Sequence, residues 1–158
     1  MHTALDHPAP HLTRVTESCG YRRLMASAVA GSSAALLGVA AFISPASAGL
    51  GSHEQLNLPR CGWITLMDLP CATCGMTTAF AHAVRGSFLQ SLLTQPMGFV
   101  LAVATAMALL VAVYVAITGS PVGRMFARLW TPRVIWLMVL FGAASWGFKI
   151  AVYRGLLA

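Results

Sequence analysis

Three long apolar runs decide what this chain can become. Leu24 to Ile43, Met97 to Thr118 and Val134 to Val152 carry one charge among them, Lys149. A helix rises about 1.5 Å per residue, so about 20 residues cross roughly 30 Å of hydrocarbon. Lipid offers the backbone no hydrogen bonds, so such runs become helices that satisfy their own N–H and C=O groups. Composition agrees: the 158 residues are 58% hydrophobic and 9% charged, where soluble domains hold about 25% charged residues. So little charge cannot coat a globule in water. The formal net charge is +6, but no basic helix face with interleaved aromatics marks a nucleic-acid partner. The lipid bilayer is the expected partner, and Lys and Arg report orientation instead.

Residues 1–23 hold three histidines, two prolines and three arginines without hydrophobic period, which predicts a disordered cytoplasmic tail. Residues 24–152 form the single membrane domain, with spans at about 24–43, 97–118 and 134–152. The first span is rich in Ala, Gly and Ser, which let helices approach closely in lipid. Arg22-Arg23, this run and Ala46-Ser47-Ala48 also read as a secretory signal with its cleavage site. The run is longer than such a core, and an uncleaved anchor is favoured. Near the end of the third span, Lys149 is placed to snorkel to the headgroups. Trp130, Trp136, Trp146 and Tyr153 flank that span as interfacial aromatics do.

Residues 49–96 form the exported segment between the first two spans. Gly49, Gly51, Pro59 and Pro70 punctuate its first half. From Thr77 to Thr94, Phe80, Ala83, Val84, Phe88 and Leu92 recur at helical steps. Gly86 breaks that pattern, and Ser87 is placed to cap a second short helix. The result is a broken amphipathic or re-entrant helix, opened by Cys71 and Cys74. Arg14, Arg22 and Arg23 precede the first span, and Arg124, Arg128 and Arg133 lie between the second and third. Three spans put both groups on one side, and the positive-inside rule makes that side, with the N-terminus, cytoplasmic. The fold class is all-α integral membrane, with three transmembrane helices and the broken helix between the first and second.

The chemistry concentrates in the exported segment. Cys61, Cys71 and Cys74 lie there, and Cys19 lies on the other side. A C-x-x-C pair can close a disulfide ring or share a metal. A helix starting after Cys71 would lend its positive end to a thiolate. Four readings stand open. Cys71 and Cys74 cycle between dithiol and disulfide, with Cys61 as a resolving thiol and a partner thiol or membrane quinone as the other couple. Alternatively, Cys61, Cys71 and Cys74 hold a zinc-like ion with His82 or His53 as fourth ligand. A structural disulfide from Cys61 to either member is the third. In the last, the cysteines only pack at a tight turn. No cofactor is specified by any glycine pattern, and Asp68 and Glu54 are too few and too far apart for a general acid/base pair.

Leu69-Pro-Cys-Ala-Thr-Cys-Gly-Met-Thr-Thr-Ala-Phe80, Arg85-Gly-Ser-Phe88 and Gln95-Pro-Met-Gly-Phe99 resemble the signature of the bacterial domain-of-unknown-function family 2752. That signature reads C-P-x-C-G-x-T-R-A, then G-D, then N-P opening a membrane helix. Cys71, Cys74, Gly75, Thr77, Ala79, Gly86 and Pro96 match it, and Cys61 resembles an earlier Cys-Pro-Phe cysteine. Ala72, Thr78, Ser87 and Gln95 depart from it, replacing Pro, Arg, Asp and Asn. Any role of the family's Arg–Asp pair is therefore not carried over. The resemblance implies a multi-pass protein of the bacterial cytoplasmic membrane, in a family without an assigned activity. The expected function is an accessory or scaffold membrane subunit, working with a second copy or a partner membrane protein. The alternative is a thiol–disulfide or metal-handling protein using Cys61, Cys71 and Cys74.

Overall fold

The computed structural model describes residues 19–46, 49–123, 125 and 131–156. The expected tail over 1–18 and the loop residues Arg124, Arg128 and Trp130 lie outside them. All regular structure among the described residues is helical: α1 Cys19–Phe42, a 3-10 turn Ser52–Leu56, α2 Gly62–Met67, α3 Met76–Val84, α4 Phe88–Thr94, α5 Pro96–Thr118 and α6 Pro132–Tyr153. α1, α5 and α6 are long and apolar enough to cross a membrane. Large side chains point outward all along them, among them Leu36, Phe42, Leu110, Ile117, Trp136 and Leu140. Apolar exposure on this scale matches a hydrocarbon solvent, not water.

α1 begins earlier than its apolar run, so Arg22 and Arg23 are helical residues and not a preceding flank. Their long stems suit a helix interior, and Arg23 donates to Ile117 O at the far end of α5. α1 and α5 are therefore antiparallel. Ala26, Ser33 and Ala40 are the buried residues of α1, one every seven positions on one stripe. Gly98, Ala102, Ala112 and Val115 are buried on α5. Small residues on both sides let the backbones pack closely where no hydrophobic effect operates.

The segment between these two helices gathers at one end of the pair. α3 inserts there: Thr78, Ala79, Phe80 and Ala81 are all buried, and Phe80 packs with Ala40 of α1 and Ala102 of α5. Gly98 makes the insertion possible, since a Cβ at this position would sit 2.9 Å from Ala79 Cβ. Arg85 ends the helix by donating to Ala81 O within it and to Ala41 O at the end of α1, where terminal carbonyls lack helical partners. Gly86 turns the chain at φ +77° into α4. The expected broken helix is thus present, with two differences. Cys71 and Cys74 do not open it, because Gly75 at φ +86° is the N-cap and the helix starts at Met76. Ser87 holds the N-cap position of α4 without a side-chain capping bond.

α6 joins the bundle through its last turns. Ser145 Oγ accepts the N–H of Met97, an orphan donor of the first turn of α5. Its first half, from Val134 to Phe141, is largely exposed.

Candidate functional site: a three-thiol cluster

Three separate pieces of local structure bring the sulfurs together. Cys61 is the N-cap residue of α2. Cys71 to Cys74 form a turn closed by Cys74 N–H to Cys71 O. Gly75 then reverses the chain into α3, and no larger residue fits: a Cβ would lie 2.8 Å from Gly49 O on top of the left-handed φ. The Sγ atoms of Cys61, Cys71 and Cys74 lie within 4.8 Å of one another. Cys71 and Cys74 are 3.4 Å apart in a thiol–thiol hydrogen bond, and Thr73 Oγ1 is 3.2 Å from Cys71 Sγ. All four cysteines are thiols in this structure. Cys19 belongs to the opposite end, beside Gly119.

The three sulfurs differ in environment. Burial raises Cys61, but N–H groups of Ile64 and Trp63 and the thiols of Cys74 and Cys71 bond to its sulfur and hold it down at about 6. Cys74 is buried; that desolvation, then its hydrogen bonds with Cys61 and Cys71, pushes it up to about 12. The helix-end argument for a reactive Cys71 loses its premise, since α3 starts after Cys74. The thiolate-stabilising donors are the first N–H groups of α2, and they face Cys61.

The cluster is clamped from elements remote in sequence. Lys149 is 5% exposed, so it does not snorkel outward as expected. Its Nζ donates to Gly49 O and to Thr94 O, the latter a carbonyl at the negative end of α4. Two such acceptors hold the ammonium inside, close against Gly75. Trp146 Nε1 donates to Pro70 O and its ring meets Trp63 edge-on at 6.1 Å. Tyr153 donates to Asp68 Oδ1. Gln95, 1% exposed, donates from Nε2 to Ala72 O, inside the C-x-x-C turn. Its Oε1 has no hydrogen-bond partner among the described residues.

Other expected residues fall elsewhere. The metal-sized group among the described residues comprises the three cysteines; neither His82 nor His53 is in it. His82 sits in the last turn of α3, and His53 lies 3.2 Å from Pro59 O through Nε2. Thr78, which replaces the signature's Arg, is 1% exposed and shares a 2.8 Å hydrogen bond with Ser52 Oγ. Ser52 in turn accepts from Ala46 N–H. A buried hydroxyl pair thus joins α3 to the 3-10 turn.

Fold and site together define the class: an all-α protein with three membrane-length helices and a three-thiol cluster at one end of them. Residues 61–112 match the family model described as Protein of unknown function (DUF2752), the family whose signature the sequence resembles. The match begins at Cys61 and takes in the cluster, α3, α4 and most of α5. No curated protein and no solved structure matches the chain.

Proposed function

We propose that this is a membrane thiol–disulfide protein in which Cys71 and Cys74 form the working pair and Cys61 exchanges with it. One observation carries the reading: three sulfurs lie within 4.8 Å, the C-x-x-C pair 3.4 Å apart. A disulfide needs about 2.05 Å, a closure that side-chain rotation supplies across a turn. Exchange runs by thiolate attack on a disulfide through a mixed disulfide. The outside couple is reduced to two thiols as Cys71 and Cys74 lose two protons and two electrons. The test is equilibration of the purified protein in glutathione buffers, with alkylated thiols counted by mass. Two of the four thiols, both mapping to the cluster, disappearing together and reversibly supports it; four alkylatable thiols throughout contradict it.

A soft metal ion is the second reading, on the same three sulfurs. One tetrahedral ion with sulfurs at about 2.3 Å sets them roughly 3.8 Å apart, and the observed cluster brackets that spacing. One equivalent of zinc protecting Cys61, Cys71 and Cys74 together from alkylation, with release by chelator, favours it over the first.

The orientation belongs to the same proposal. Arg22, Arg23 and Arg133 occupy the starts of α1 and α6, and Cys61, Cys71 and Cys74 belong to the other end of the bundle. A cytoplasmic N-terminus then exports the cysteines from the bacterial cytoplasmic membrane into a compartment where disulfides persist. The uncovered half of α6 supports a second copy or a membrane partner, which native mass measurement in mild detergent tests by finding a dimer, a complex or only monomer.

A further inference from the structure

A cavity of about 570 Å³ lies against the three sulfurs, and Cys61, Cys71 and Cys74 are all part of its wall. The volume is in the range of small-molecule sites. Most of the remaining wall is apolar: Leu36 and Val39 of α1, Ile43 just past its end, Leu56, Met76 and Phe80. Leu36 and Val39 are 56% and 47% exposed on a helix long and apolar enough to cross a membrane. The cavity therefore opens along the lipid-facing side of α1, near its end. That side admits a ligand from hydrocarbon, and what meets it there is a dithiol. The His53 imidazole and the Thr73 hydroxyl on the same wall supply polar contacts for a ligand that carries oxygens.

From these observations we infer that the cavity binds a lipid-soluble quinone, which accepts two electrons from the Cys71–Cys74 dithiol. The inference rests on the thiol–disulfide reading and names its acceptor. In the step, the S–H bonds of Cys71 and Cys74 break and one S–S bond forms. Two electrons and two protons pass to the quinone, whose two carbonyl oxygens become the hydroxyls of a hydroquinone. The apolar wall holds the ring and its tail, and the sulfurs stand beside the ring.

The test uses the full chain, reduced, in lipid nanodiscs with a decyl-substituted benzoquinone. Hydroquinone is read by absorbance and Cys71–Cys74 disulfide by alkylation and mass. One hydroquinone per disulfide is expected. Val39→Phe and Leu36→Phe put a ring into the cavity from exposed positions that tolerate apolar change in lipid. Each is expected to slow quinone-driven oxidation by about a hundredfold, the effect of displacing a reactant by ~1 Å. Oxidation by glutathione disulfide, which arrives from water, should keep its rate in both variants. If glutathione disulfide oxidises the pair and the quinone does not, the quinone site falls and the thiol–disulfide reading stands. If neither oxidises it, both fall. Equal quinone rates in wild type and both variants would place the reaction outside the cavity and overturn the inference.

Discussion

At the scale of residues, three cysteines of one kind become three different thiols. Cys61 faces the first N–H groups of α2 and is lowered to about 6, while buried Cys74 is raised to about 12. The thiolate is the reactive form, so the sign is fixed: lowering the pH through 6 switches Cys61 off, and Cys74 stays protonated far above neutrality. In reduced folded protein, iodoacetamide should label Cys61 with a midpoint near pH 6 and leave Cys74 nearly unlabelled at pH 8. In denaturant both should return to an ordinary thiol midpoint of about 8.5. A common midpoint for both in the folded state would contradict the assignment. That these sulfurs could meet was legible in the sequence, because a C-x-x-C-G turn sets two thiols close together and Cys61 lies a short way upstream. Their ordering in reactivity was not. It depends on where α2 and α3 begin, and a helix start shifted from Cys71 to Met76 moves the favourable N–H groups to a different sulfur.

At the scale of elements, the membrane-length helices were legible to within a few residues, since uncharged runs of this length admit one structure in lipid. α1 alone starts well before its run, because Arg23 has a partner at the far end of α5. The 3-10 turn Ser52–Leu56 and α2 were not legible; each is too short to show a period. Lys149 was legible as a lone charge, but its direction was not. Its two carbonyl partners lie 100 and 55 residues away, and they outcompete the headgroups. Gln95 likewise read as the start of α5, whereas its side chain reaches the cysteine turn. Elements fit closely at Gly98, where α5 meets α3 with no room for a side chain. Gly98→Ala should push α3 off α5, costing about 1–3 kcal/mol and loosening the cysteine turn. Thermal unfolding followed by tryptophan fluorescence checks the first effect, and the yield of Cys71–Cys74 disulfide checks the second. An unchanged melting temperature with full disulfide yield would show that the contact is not limiting.

At the scale of the whole molecule, the design is one-ended. α1 runs toward the cysteine end, α5 away from it and α6 back, so everything between α1 and α5 collects at one place. The last turns of α6 then close on it through Trp146, Lys149 and Tyr153. This geometry makes sidedness a sharp question. A membrane-impermeant maleimide applied to spheroplasts should label Cys61 and leave Cys19 unlabelled, and inverted vesicles should reverse the result. Labelling of Cys19 from outside would turn the proposed topology over.

The central claim is that Cys61, Cys71 and Cys74 act as one redox unit. Acid-quenching of intact membranes followed by peptide-mapped differential alkylation tests it most directly. The account predicts that Cys71 and Cys74 are found as a disulfide linked to each other in a large share of molecules. That share should rise with oxidant and vanish with dithiothreitol, while chelator leaves it unchanged. Three fully reduced thiols under every condition would contradict it.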